Sequence, residues 1–227
     1  MPDTRTGPRS GSLPHVADVD TVVFDAYGTL FDIEDENWAP ADVVRTMRRK
    51  QLEYTWLLSL MGHYQDFPTL TRRAIEYAKA LYDEYNVDVE NVMRRLVHLQ
   101  AFPDVEIGLK RLGDGRRLGI LSNGHPDDLE QLCIHAGLRA RFEWLISAHE
   151  VRIYKPAPVV YRLALERTGT PRDRLLFVSA NSWDVAGAGA SGLRAAWVNR
   201  TGDPPQPVGG EPEVVVRDLE ELAAELE

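Results

Sequence analysis

The chain has one cysteine, Cys133, among its 227 residues. A lone thiol excludes an intrachain disulfide and a thiolate-built zinc site. It points to a reducing compartment, and the expected location is cytoplasmic. Cys133 sits in DDLEQLCIHAGL beside Leu129, Leu132 and Ala136 at helical spacing, which reads as a buried core thiol and not a nucleophile. Long apolar runs are also missing, so no membrane span is expected. The opening MPDTRTGPRSGSLPH is rich in Pro, Gly and Ser, and residues 1–16 are expected to form a disordered tail, neither signal peptide nor anchor. Without a secretion signal, the sequon Asn199-Arg200-Thr201 is expected to be idle. Positive charge is in deficit: 26 Lys+Arg stand against 35 Asp+Glu, a net charge of -9. That argues against nucleic acid and against an anionic membrane surface as partners. The six histidines show no H-E-x-x-H or other metal-ligand spacing, and neither repeats nor low-complexity segments occur.

What is present is ordinary for a globular protein: 44% hydrophobic and 27% charged residues. Short apolar, β-branched runs read as buried strands at Thr21–Asp25, Leu118–Ser122, Trp144–Ser147, Leu175–Ser179, Ala195–Val198 and Glu213–Val216. Helical patterns separate most of them, at Pro126–Ala136, Pro156–Thr168, Asp184–Ala190 and Asp218–Glu227. Continuous apolar strands alternating with helices predict an α/β fold with a mostly parallel, Rossmann-like sheet covered on both faces. A helical block from about Pro40 to Gln100 is too large for a crossover, with helices expected at Asp42–Met61, Thr69–Tyr85 and Val89–Leu99. It reads as an inserted α-helical cap over residues 37–101, in a core of residues 17–36 and 102–227.

In open α/β sheets the ligand site lies beyond the carboxyl ends of the strands. The polar residues there are Asp25, Tyr27 and Thr29 after the first strand, then Ser122 and Asn123 after the second. Tyr154, Lys155 and Tyr161 follow the third, and Ser179, Asn181 and Asp184 the fourth. Each alone is an ordinary turn residue. Convergence from four strand ends is the stronger signal.

DAYGTLFD, LSNG, YKP and SANSWD resemble the successive motifs of the haloacid dehalogenase superfamily, and RRKQLEYTWLLSLM narrows the resemblance to its L-2-haloacid dehalogenases. The resemblance runs from about Val19 to Thr201 and is looser over Gln65–Phe102. It implies hydrolysis of a short 2-haloalkanoate with release of halide, through covalent catalysis and without metal or cofactor. Asp25 would attack C2 with inversion and form an ester that water then cleaves. Lys155, held by Asp184 and supported by Tyr161, would favour the ionised Asp25. Thr29 would orient Asp25, while Asp184, Asn181 and Ser179 would place or activate water. Ser122 and the backbone N–H groups near Ala26 and Tyr27 would hold the substrate carboxylate. Asn123 and Arg48 would receive the halide. Tyr27, Leu52, Phe67 and Trp183 would supply apolar surroundings, with Arg48 and Leu52 on one helix face. The resemblance also implies a homodimer.

Other readings remain. Phosphatases of the superfamily resemble one another in an Asp-x-Asp motif, but Tyr27 stands where its second Asp would be, and Asp184 is a single late acid. A defluorinase using the same nucleophile and a non-catalytic protein on the same fold are the further alternatives. Arg49 departs from the family pattern, in which an uncharged amide is expected at that position. Gly187-Ala-Gly-Ala-Ser-Gly192 matches G-x-G-x-x-G but lies past the strand-to-helix turn that the dinucleotide fingerprint requires, so close helix packing is its expected role.

Overall fold

A computed structural model describes residues 18–34, 39–84 and 86–227. The tail expected at residues 1–16 and the core–cap boundary near residue 36 lie outside them, as does Tyr85. Six strands form one all-parallel sheet in the order β3-β2-β1-β4-β5-β6. They are β1 (Thr21–Phe24), β2 (Arg117–Ser122), β3 (Trp144–Ser147), β4 (Leu175–Ser179), β5 (Arg194–Val198) and β6 (Val214–Val216). The sequence places every strand within one residue at each end. That precision has a physical source: in parallel sheets both faces are covered, so central strands such as TVVF and LLFVS are buried throughout and read as unbroken apolar runs. Strand order reverses direction between β1 and β4, and the tips of β1, β2 and β4 meet at that switch point.

Eight α-helices are described: α1 (Ala41–Leu60), α2 (Phe67–Leu81), α3 (Val89–Leu96), α4 (Val105–Leu112), α5 (Pro126–His135), α6 (Pro158–Thr168), α7 (Ser182–Ala190) and α8 (Leu219–Leu226). None is long and apolar enough to cross a membrane. α1 has no Gly or Pro and runs 20 residues to a stop before Gly62, whose φ of 67° ends the helix. α2 starts two residues before the sequence expectation because Asp66 caps it, accepting from Thr69 N at 2.8 Å. It also ends four residues early, at Leu81. α6 begins at Pro158, not Pro156, because Lys155–Ala157 form a turn closed by Ala157 N donating to Tyr154 O at 3.0 Å.

α4 has no counterpart in the sequence reading. Its VEIGLKRL carries buried residues at positions 105, 109 and 112, but Gly108 weakens the helical signal. That glycine serves tertiary packing: a Cβ there would stand 2.5 Å from Leu219 Cβ of α8. α4 packs on α8 and α6 on α7. α1, α2 and α3 lie between β1 and β2 in the chain. The two ends of this insertion run side by side, with Asp32 N donating to Gln100 O and Phe102 N to Leu30 O, both at 3.0 Å. Met47, Phe67, Leu70 and Ile75 of the insertion share one contiguous core with the sheet.

Candidate active site

Asp25 follows β1 directly, and its N–H donates to Val178 O of β4 at 2.8 Å, which fixes the strand tip. The chain then curls so that Ala26 O accepts from the N–H groups of Thr29, Leu30 and Phe31. Gly28 makes this curl with φ 84°, where a side chain would be strained. Three side chains donate to the Asp25 carboxylate. Thr29 Oγ1 and Asn181 Nδ2 reach Oδ2 at 3.1 and 2.8 Å, and Lys155 Nζ reaches Oδ1 at 3.0 Å. Thr29 Oγ1 accepts from Ala180 N at 2.9 Å, so its single proton is committed to Asp25. Asn181 also donates to Tyr27 O at 3.2 Å.

Lys155 is 1% exposed and bridges two carboxylates, since its Nζ also donates to Asp184 Oδ2 at 2.9 Å. Tyr161 OH donates to Asp184 Oδ1 at 2.6 Å, and so supports Lys155 through Asp184 and not directly. Burial pushes Asp184 up to about 6, against the pull of the Lys155 ammonium. Burial, reinforced by the neighbouring Asp184 charge, pushes the Tyr161 phenol far above its ordinary range and keeps it a donor. Asn123 Oδ1 accepts from Lys155 N at 3.0 Å, which turns its Nδ2 donors the other way. Ser122 Oγ accepts from Gly124 N and Ser179 Oγ from Asn181 N, both at 3.1 Å.

The insertion closes the other side. Arg48 on α1 is 8% exposed and donates from Nη2 to Tyr27 O at 3.3 Å and from Nη1 to Gln51 Oε1 at 2.7 Å. Burial draws the guanidinium down from its ordinary pKa, opposed by the Asp25 charge. The Tyr27 ring stacks on Phe67 at 5.6 Å between centroids, and burial raises its phenol pKa. Trp183 is half-buried and meets Trp56 of α1 edge-on at 5.4 Å. Leu52 is half-buried one turn beyond Arg48. Arg49, the departure from the family pattern, points to solvent.

Two residues of this neighbourhood, Gln51 and Thr71, do not figure among the sequence candidates. Gln51 and Leu52 lie three and four residues beyond Arg48 on one helix face, yet an amide there and a hydroxyl on α2 read as surface residues. The G-x-G-x-x-G stretch lies on α7, and its glycines are contact points. A Cβ on Gly187 would stand 2.5 Å from Tyr161 OH, so this residue lets Tyr161 reach Asp184. Cys133 is buried and its thiol pushed up to about 12 by desolvation, which makes it a packing residue.

A doubly wound parallel sheet with an acidic residue just after its first strand, a lysine after its third and an acidic residue after its fourth is the arrangement of a haloacid dehalogenase-like hydrolase. The model of that family matches residues 19–192, and the chain belongs to it. Within the family it groups with the L-2-haloacid dehalogenases. (S)-2-haloacid dehalogenase H-109 from Pseudomonas putida is 40% identical over 90% of this chain and 96% of its own length. Haloacetate dehalogenase H-2 from Moraxella sp. (strain B) is 37% identical over 87% of this chain and 93% of its own. The L-2-haloacid dehalogenase of Xanthobacter autotrophicus, solved with chloropropionic acid covalently bound, is 32% identical, with a TM-score of 0.82 over 91% of this chain and 97% of that one.

Proposed function

We propose that the chain hydrolyses short L-2-haloalkanoic acids to D-2-hydroxy acids and halide. The observation that carries this reading is the Asp25 carboxylate, fixed at a strand tip by Thr29, Asn181 and a fully buried Lys155, with Tyr27 two residues on. In the first step an Asp25 oxygen attacks C2 from the side opposite the halogen. The C–X bond breaks, halide leaves with the bonding pair, and C2 inverts. In the second step a water oxygen attacks Cγ of the Asp25 ester. The bond from Cγ to the ester oxygen breaks, the hydroxy acid departs with one water proton on its oxygen, and Asp184 accepts the other. Halide is the anion of a strong acid and needs no proton, which fits Tyr27 where a phosphatase would place a second Asp. Lys155 takes the position between Asp25 and Asp184, so charge compensation between these acids comes from an ammonium group.

In this reading Ser122 and the Ala26 and Tyr27 N–H groups hold the substrate carboxylate, while Arg48 and Asn123 receive the halide. Ser179 and Asn181 place the water, and Tyr27, Leu52, Phe67 and Trp183 form the apolar wall. Residues 17–36 and 102–227 act as the core and 37–101 as the cap, supported by the paired ends of the insertion. A homodimer is supported by apolar side chains at the end of α1 and just beyond it, with Leu60 85% and Met61 59% exposed. Sedimentation as a monomer would remove that part. A cytoplasmic location is supported by the single, buried thiol.

The test is a single turnover of L-2-chloropropionate in heavy-oxygen water. Label should enter Asp25 first, and Asp25→Asn should release no halide. Label passing straight into the product would overturn the ester mechanism. Release of halide from L- but not D-2-chloropropionate, unchanged by a chelator, is expected. Haloacetate belongs in the same assay because a relative carries that name.

A further inference from the structure

α1 contains three cation–acceptor pairs at a spacing of three residues. Arg45 donates to Asp42 at 2.6 Å and Lys50 to Glu53 at 2.9 Å, and both of those acceptors are carboxylates on exposed or partly exposed side chains. The third pair, Arg48 with Gln51, is buried, and its acceptor is an amide. Among the described residues no carboxylate lies within ion-pair distance of Arg48. Its protein acceptors are the neutral oxygens of Gln51 and Tyr27.

The amide is held in one orientation by a chain of hydrogen bonds. Gln51 Nε2 donates to Thr71 Oγ1 at 2.6 Å, and Thr71 Oγ1 donates to Phe67 O at 2.8 Å. A hydroxyl has one proton, and a carbonyl oxygen only accepts, so Thr71 presents a lone pair to Gln51. That places the amide nitrogen toward Thr71 and the amide oxygen toward Arg48. The path then closes on itself: Phe67 stacks on Tyr27, whose carbonyl oxygen accepts the other terminal nitrogen of Arg48.

We propose that Gln51 is a positioning residue that orients Arg48 without setting a further negative charge against it, so that the guanidinium stays available to an external anion. The proposal rests on the reading above that Arg48 faces the leaving halide. A glutamate at position 51 fits the same volume and accepts the same hydrogen bond. It would also set a carboxylate against Arg48 in a buried site, where opposite charges couple strongly. Its second oxygen would face a Thr71 hydroxyl whose proton is already given to Phe67 O. An amide satisfies Arg48 and Thr71 together and adds no charge.

The experiment compares the full-length wild type with Gln51→Glu and Thr71→Val. The readouts are steady-state kinetics on L-2-chloropropionate, inhibition by sodium bromide at constant ionic strength, and the rise in melting temperature that bromide produces. Gln51→Glu should lower kcat/KM, mainly through kcat, and raise the bromide inhibition constant, each about tenfold or more, from the added charge beside Arg48. Thr71→Val keeps the shape but frees the amide, and should lower kcat/KM and raise the bromide inhibition constant, each about two- to fivefold. A folded Gln51→Glu variant with wild-type kcat/KM and bromide inhibition overturns the proposal. Should Gln51→Glu not fold, Thr71→Val decides: a raised bromide inhibition constant supports it and an unchanged one overturns it. Absence of halide release by the wild type would remove the functional reading separately. The bromide-dependent melting shift, present in wild type and lost in Gln51→Glu, then still carries the proposal, and its persistence in the variant overturns it.

Discussion

Lys155 and Arg48 are both buried beside the loop that follows β1, one reaching it from the sheet side and the other from α1. Lys155 is gripped by two carboxylates, Asp25 and Asp184, at 3.0 and 2.9 Å. Arg48 is gripped by two neutral oxygens. The protein therefore solves the burial of a cation in two ways. Where the cation's proposed task is to hold other side chains in place, internal acids compensate it. Where its proposed task is to receive an anion from outside, dipoles hold it and no carboxylate among the described residues pairs with it. A net charge of -9 says nothing about this difference, because a small anion responds to the few groups next to it.

Removing each cation should cost turnover in both cases but stability to different extents, which is the strongest way to break the comparison. Lys155→Met leaves two carboxylates buried and facing each other. It should cost about 3–5 kcal/mol in urea denaturation, the usual penalty for breaking a buried pair, and abolish halide release. Arg48→Met should cost less, about 1–3 kcal/mol, since it leaves the buried Gln51 and Tyr27 oxygens without this donor but breaks no close ion pair. Its turnover should nevertheless fall about 100- to 1,000-fold, as when one charge-stabilising donor is removed. Equal stability losses in the two variants would erase the distinction.

A subtler test uses pH. The Asp184 carboxyl is raised to about 6, so below that pH it binds a proton and loses its charge next to Lys155. Turnover should drop on the acid side with a midpoint near 6. Stability should move the other way. Between the ordinary carboxylate range and about 6 the folded state holds a proton that the unfolded chain has released, so this group's contribution is lost as pH rises. Denaturation of wild type and Asp184→Asn from pH 4 to 7 isolates it, because the variant lacks that slope. The smallest effect belongs to Arg49, which points to solvent. Arg49→Gln should change kcat/KM less than about twofold, as surface substitutions do.

The two sides of the site also differed in how far the sequence disclosed them. Asp25, Ser122, Lys155, Ser179 and Asp184 follow or end buried strands, and such strands announce themselves as short apolar runs whose last polar neighbour is easy to locate. On the helical side Arg48 was legible through its helix face and its family motif, but Gln51 and Thr71 were not. An amide and a hydroxyl on amphipathic helices look like surface residues until the partner helix is placed over them. α4 stayed hidden for a related reason, since Gly108 lowers helix propensity for a contact with Leu219 that exists only in the folded molecule.

β1 lies in the middle of the sheet, between β2 and β4, and is made before either. Asp25 meets Lys155 across 130 residues and Asn181 across 156. Closing loops of that length costs entropy before any contact returns it, and topologies built this way are slow to assemble. A nascent or partly refolded chain thus holds helices well before it holds an oriented Asp25. After dilution from urea, recovery of turnover should trail recovery of helical signal, and activity becomes a clock for the last stage of folding.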